Sequence, residues 1–286
     1  MEIIKNEPMK NHTTFKIGGA ADEFCQAKSA EEIKELVEYA ENKKIPYFVM
    51  GNGSNVLVSD SGIRGLVINI SSDFSSYEIT GDVIKAQSGA LLGTLAKAAL
   101  SAELSGMEFA SGIPGSLGGA IYMNAGAYGG QMSDIVKSVT YLEKGEIKKI
   151  DKDFGFGYRK SLFADLGAIV LEAELQLKKG DSGEIKAKME DYKNRRNEKQ
   201  PLNMPSAGSV FKRPEGNFAG KLIEDAGLKG YKIGGAMVSE KHAGFIVNTG
   251  NAKASDVVAL IEYIKKTVKE KFGVELETEV KLEGEF

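Results

Sequence analysis

The chain has 286 residues, which suits two domains or three small ones at roughly 100–200 residues per domain. Thirty-seven basic against 40 acidic side chains leave a net charge of −3, so there is no broad positive field of the kind a nucleic-acid backbone or an anionic membrane surface recruits. Cys25 is the single cysteine and His12 and His242 are the two histidines, which excludes an internal disulfide and a Cys- or His-rich metal site; the charged start Met1-Glu2-Ile3-Ile4-Lys5 lacks a signal-peptide core and points to the cytoplasm.

Taken in chain order, Ser29-Ala30-Glu31-Glu32 reads as a capping box, and Ile33, Leu36, Val37 and Ala40 continue at helical spacing to about Asn42, before Pro46. Three β-rich runs follow, Tyr47 to Met50, Val56 to Val58 and Leu66 to Ile70, so the first section reads as α/β. From Tyr77 the pattern becomes hairpins, turning at Gly81-Asp82 and at Lys144-Gly145, with a helix near Leu91 to Ala102 between them. Ile169 to Leu177 alternates as a strand, and the polar run 178–183 is expected to divide two domains. Beyond it come a helix over about Gly183 to Lys199, a short helix near Phe218 to Ala226, and a long helix opened by Ser255 and closed by Gly273. Val274 to Leu282 alternates as a final strand with Glu275, Glu277 and Glu279 on one side.

Glycine is the compositional anomaly, at 34 of 286 residues against a usual share of about 7%. Phe109 to Ser133 holds seven glycines and no charge, yet Pro114, Asn124 and Gln131 make it too broken and polar to span a membrane. In Gly51-Asn52-Gly53-Ser54-Asn55 and in Gly112 to Ala120, close backbone approach and successive N–H groups suit a phosphate-bearing ligand. A pair of ordinary tight turns satisfies the same pattern. Neither segment has the spacing of a Rossmann fingerprint or a phosphate loop ending in Gly-Lys-Ser/Thr.

Asn11 to Gly19, then Gly51 to Asn55, then Gly112 to Ala120 with Met123-Asn124-Ala125-Gly126-Ala127-Tyr128-Gly129 resemble the MurB family of UDP-N-acetylenolpyruvoylglucosamine reductases, in order and spacing along essentially the whole chain. The resemblance implies an α+β protein with a vanillyl-alcohol-oxidase (PCMH-type) FAD-binding domain. Its two subdomains would be 1–70 (α/β) and 71–180 (mainly antiparallel β), followed by a C-terminal α+β substrate-binding domain, 181–286. It also implies FAD as cofactor, with NADPH and UDP-N-acetylglucosamine enolpyruvate as small-molecule substrates. The product would be UDP-N-acetylmuramate for peptidoglycan, hence a role in cell-wall biogenesis, cell shape and division. No nucleic acid or membrane insertion is expected. The short interval from Arg159 to Ser209 resembles the compact subclass that lacks an inserted tyrosine loop.

Carried onto this chain, the family's flavin contacts are Met50, Gly51, Asn52, Gly53, Ser54, Asn55, Gly112, Ile113, Pro114, Gly115, Ser116, Gly118, Gly119 and Ala120. Reduction of an enol ether conjugated to a carboxylate needs a carboxylate clamp and a proton source besides the hydride. The family motifs place these at Arg159, as the clamp, at Ser209, as the proton donor, and at Glu279, as a partly protonated partner of the carboxylate. Read without the family, Arg159 is a surface arginine beside aromatics, Ser209 a loop serine, and Glu279 one acid of a solvated strand face. Asn124, Tyr158, Lys212, Arg213, Lys229 and His242 match or neighbour substrate-contacting positions, and each reads equally as an ordinary polar side chain.

Overall fold

The protein is described by a computed structural model covering residues 2–70 and 72–286. Its helices are α1 (Ala30–Lys43), α2 (Leu92–Ser101), α3 (Leu117–Tyr122), α4 (Leu162–Leu166), α5 (Ser182–Lys199), α6 (Ala219–Asp225) and α7 (Ala254–Phe272), set among short strands in an α+β fold. By internal packing the chain forms two units, one from 2–3, 24–52 and 66–196, the other from 4–23, 53–65 and 197–286.

In the first unit a five-stranded antiparallel sheet has the order 146–150, 136–143, 169–176, 83–87, 77–80. Both expected hairpins are present in it. Its strand Ile169–Gln176 opens with three consecutive buried residues, because alternate side chains leave opposite faces. Val170, Ala173 and Leu175 join Leu92, Leu95 and Ala96 of α2 and Leu117 and Ile121 of α3 in one apolar cluster. Ile169 and Leu171 join a second cluster with Ile33, Leu36 and Val37 of α1. Helix α1 starts as its capping pattern requires, with the Ser29 hydroxyl accepting from the Glu32 N–H at 3.1 Å, and it ends at Lys44 in the left-handed region (φ 56°). Tyr47–Met50 pairs in parallel with Leu66–Asn69, which carries Met50 and Gly51 to the edge of this unit's glycine segments.

The second unit is built on α7, whose Val257, Leu260, Ile261, Ile264 and Val268 pack with Leu222 and Ile223 of α6 and with Ala236, Val238 and Ile246 of a three-stranded antiparallel sheet. Two sequence readings are corrected here. Helix α7 is not opened by Ser255; it begins at Ala254, and the Asp60 carboxylate, far away in sequence, accepts from the Ala254 N–H (2.7 Å) and the Ser255 N–H (3.0 Å). The expected strand over Val274 to Leu282 shrinks to Lys281–Glu283, which pairs in parallel with Val56–Val58, while the preceding residues bond one strip of backbone irregularly.

Desolvation acts to raise the Asp60 pKa, but hydrogen bonds from Ser255 and Ala254 and the charge of Lys253 outweigh it and hold the carboxyl below its ordinary value. A depressed folded-state pKa means that the capping contribution is complete above about pH 4 and is lost as pH falls through the folded-state value. Asp60→Ala is expected to destabilise the protein by about 1 kcal/mol at neutral pH, with the difference from wild type shrinking below about pH 4, as read from urea melts across pH.

Candidate functional site

In the first unit the glycine segments meet through absent side chains. A Cβ on Gly51 would lie 2.1 Å from the Ser116 Oγ, and one on Gly118 would lie 2.8 Å from the Ser88 Cβ and 3.3 Å from the Ser88 carbonyl oxygen. The close approach is held by backbone bonds: the Leu117 N–H donates to the Ala90 carbonyl and the Gly118 N–H to the Ser88 carbonyl, both at 2.8 Å, and the Leu92 N–H donates to the Gly115 carbonyl at 3.1 Å. With the Ile113 N–H donating to Ala110 and the Ala120 N–H to Ser116, these N–H groups of the glycine segment are spent on the protein. The Asn52 amide donates to the Pro114 carbonyl (2.6 Å), and the Asn69 amide donates to the Gly51 carbonyl (2.8 Å). Asn52, Gly93, Thr94, Lys97, Gly112 and Pro114 are among the residues lining a cavity of about 350 Å³. A larger cavity of about 460 Å³, beside Glu108, Tyr128 and Lys188, includes none of the expected site residues; there Glu108 is already satisfied by the Ser105 hydroxyl and the Gly106 N–H.

Tyr158 and Arg159 are the two central residues of a tight turn closed by Gly157 and Lys160, whose N–H groups each donate to the other's carbonyl at 3.1 and 3.2 Å. Arg159 is left-handed (φ 56°), a conformation that costs a non-glycine residue roughly 1 kcal/mol, and its guanidinium carbon lies 5.1 Å from the centre of the Tyr158 ring. Two buried side chains hold this turn. Asn124, itself at φ 42°, donates to the Gly157 carbonyl (3.0 Å) and to the Gln131 amide oxygen (3.3 Å) and accepts from the Ser133 N–H (2.9 Å). Its amide is engaged on both ends in positioning. Ser161, fully buried, donates to the Tyr122 carbonyl at the end of α3 (2.7 Å) and caps α4 by accepting from the Ala164 N–H (3.3 Å). Sequence reading assigned Ser161 no role, although a serine directly before Leu162-Phe163 is a helix-start signal.

In the second unit the strip Ser209-Val210-Phe211-Lys212 lies between two others. The Val210 N–H donates to the Gly244 carbonyl (2.9 Å), while the Val210 carbonyl accepts from the N–H groups of Glu279 (2.7 Å) and Val280 (3.4 Å). The Ser209 side is exposed, and Glu279 is half-buried on the neighbouring strip. Asn55 bonds the same place from the other end: its amide donates to the Glu279 carbonyl (3.2 Å), and its own carbonyl accepts from the Lys281 N–H (3.0 Å). The two other acids of the alternating run are committed at the surface, Glu275 to Lys269 (2.6 Å) and Glu277 to Lys212.

The remaining substrate candidates are engaged within the second unit. Arg213 lies over the Phe218 ring (3.9 Å to its centre) with its Nε donating to the Asn217 carbonyl, and Lys229 pairs with Glu224 (2.7 Å). His242 packs edge-on against Phe245, and its Nδ1 accepts from the Gly244 N–H (3.1 Å). Desolvation, with Lys229 and Lys199 adding to it, pushes the His242 pKa below its ordinary value, so the ring is neutral at pH 7 with Nε2–H as a donor. Arg159 belongs to the first unit, and Ser209 and Glu279 to the second.

Removing the Asn124 amide leaves the Ser133 N–H without its acceptor and takes from the Gly157 carbonyl one of its two donors, the Lys160 N–H remaining. Asn124→Ala is therefore expected to cost about 1–3 kcal/mol of stability in denaturant melts.

A family model described as FAD binding domain matches residues 21–151, and one described as UDP-N-acetylenolpyruvoylglucosamine reductase, C-terminal domain, matches residues 200–283. The chain is 56% identical over 286 residues to the UDP-N-acetylenolpyruvoylglucosamine reductase of Caldanaerobacter subterraneus subsp. tengcongensis and 53% identical to that of Clostridioides difficile, in each case over 99% of this chain and 94% of the relative. The crystal structure of UDP-N-acetylenolpyruvylglucosamine reductase from Thermus caldophilus superposes with a TM-score of 0.86 at 38% identity, covering 99% of this chain and 98% of that one. These matches give FAD as the cofactor, and the glycine-bordered cavity at Asn52, Gly112 and Pro114 would be open to part of it. With an FAD-binding domain, a matching C-terminal domain and near full-length identity above one half, the chain belongs to the UDP-N-acetylenolpyruvoylglucosamine reductase family, a family of FAD oxidoreductases.

Proposed function

We propose that this protein reduces UDP-N-acetylglucosamine enolpyruvate to UDP-N-acetylmuramate at the expense of NADPH, in the cytoplasm, as a step of peptidoglycan synthesis. The names of the relatives support the reaction. FAD held by the first unit's glycine segments would supply the hydride for the β carbon of the enolpyruvyl group, with NADPH as the source of its electrons. Everything else is asked of the chain's own side chains. Arg159 presents a planar guanidinium to the substrate carboxylate, and the strained turn under it, pinned by Asn124 and Ser161, keeps it from relaxing. Hydride addition at the β carbon leaves a carbanion-like α carbon, a base strong enough to take the proton of a serine hydroxyl within hydrogen-bonding reach. Ser209 is that donor. Glu279, kept partly protonated, hydrogen-bonds the carboxylate as negative charge collects on it.

The observation that carries this reading is the bond from the Glu279 N–H to the Val210 carbonyl, which sets the acid on the strip beside Ser209, while Glu275 and Glu277 pair with surface lysines. The flavin contacts proposed are Met50 to Asn55 and Gly112 to Ala120, and Tyr158, Lys212, Arg213, Lys229 and His242 are proposed to contact the nucleotide-sugar.

Anaerobic mixing tests the two halves separately. NADPH should bleach the flavin absorbance, and the enolpyruvyl substrate should restore it. In Ser209→Ala the bleaching rate should be unchanged and the restoration slowed by about 10²–10⁴; equal restoration rates would remove Ser209 as the donor. Glu279→Gln is expected to slow restoration as well, and full turnover in that variant would reject the role given to Glu279.

A further inference from the structure

Helix α5 buries little: Ile185 is its only fully buried side chain, and Met189 and Tyr192 pack against the first unit's core from the same face. Ile185, Met189, Tyr192 and Arg196 follow one another at spacings of four, three and four, so Arg196 continues the inward stripe and does not belong to the solvated side. Tyr192 fixes that face. Its ring stacks on Tyr128 (centroids 4.4 Å apart, planes within 8°), and its carbonyl accepts from the Tyr128 hydroxyl at 3.1 Å. One turn further on, the Arg196 side chain lies over Gly112: a Cβ built there would be 3.1 Å from its Cδ and 3.7 Å from a terminal guanidinium nitrogen.

The neighbouring Arg195 pairs with Asp191 at 2.9 Å, whereas among the described residues no carboxylate pairs with Arg196. Desolvation pushes its pKa below the ordinary value, with only Tyr128 acting against it. A partly buried guanidinium on the packed face of a helix, with no carboxylate partner among the described residues, keeps N–H donors for an anion that reaches Gly112. Gly112 also helps line the 350 Å³ cavity with Asn52 and Pro114.

We infer that Arg196 is the cation that receives a diphosphate at Gly112. FAD and the nucleotide-sugar both carry that group, and the position of Gly112 in the flavin cradle assigns it to FAD; this rests on the reading of Gly112 to Ala120 as flavin contacts.

The test is FAD titration into deflavinated protein, followed by flavin fluorescence, for wild type, Arg196→Gln and Arg196→Lys, with riboflavin as the phosphate-free probe. Arg196→Gln should raise the Kd for FAD by about 10- to 100-fold and flatten its salt dependence, with Arg196→Lys in between and the Kd for riboflavin unchanged. An unchanged Kd for FAD, or equal losses for FAD and riboflavin, overturns the inference while leaving the flavin cradle standing. A raised KM for the nucleotide-sugar at an unchanged FAD Kd overturns the assignment to FAD in favour of the substrate diphosphate. Failure of the wild-type apoprotein to take up FAD at all overturns the cradle and this inference together.

Discussion

The chain around Gly51 and Gly118 can run where it does because two side chains are missing. A methyl group at Gly51 or Gly118 would collide with Ser116 or Ser88, both of which sit on backbone that cannot withdraw, since Leu117 and Gly118 donate to Ala90 and Ser88. Glycine loses more backbone entropy on folding than alanine, roughly 0.5–1 kcal/mol per position in regular structure. That cost is accepted here at neighbouring positions in one small region. The rest of the first unit's site follows from this close approach, including the Asn52 and Asn69 bonds across it.

Elements whose ends are specified locally were legible in advance. Helix α1 has its Ser29 cap and the two hairpins have glycine turns, so near neighbours in sequence contain the whole instruction. Helix α3 was not legible. Its six residues include Gly118 and Gly119, poor helix formers, and what keeps it in place is bonding to Ser88 and Ala90. The start of α7 was misplaced for a related reason, because the acceptor for its first N–H groups is Asp60 rather than a residue beside it.

The site shows the same division. Motifs that resemble a known family could name Arg159, Ser209 and Glu279, but spacing offered no reason to prefer them over surface residues. The structure adds physical grounds of a different kind: a left-handed arginine pinned by two buried side chains, and an acid on the strip beside an exposed serine. Arg196 escaped notice because its stripe on α5 is weak and because the glycine it covers lies far back in the chain. A net charge of −3 excludes a broad positive field, but one local cation is compatible with that total and invisible in it.

Glu275, Glu277 and Glu279 are chemically identical and equally spaced, and they differ only in what the backbone has done around them. Asn55 and Val210 hold the segment from two directions at residue 279, with no freedom to slip by the two positions that would exchange one acid for the next. Three identical side chains are thereby made unequal. The first two can be traded for another polar group at the loss of a surface ion pair, whereas at the third it is the backbone that is held, through a bond from Asn55 more than two hundred positions away that accepts any side chain at residue 279 but fixes where that side chain starts.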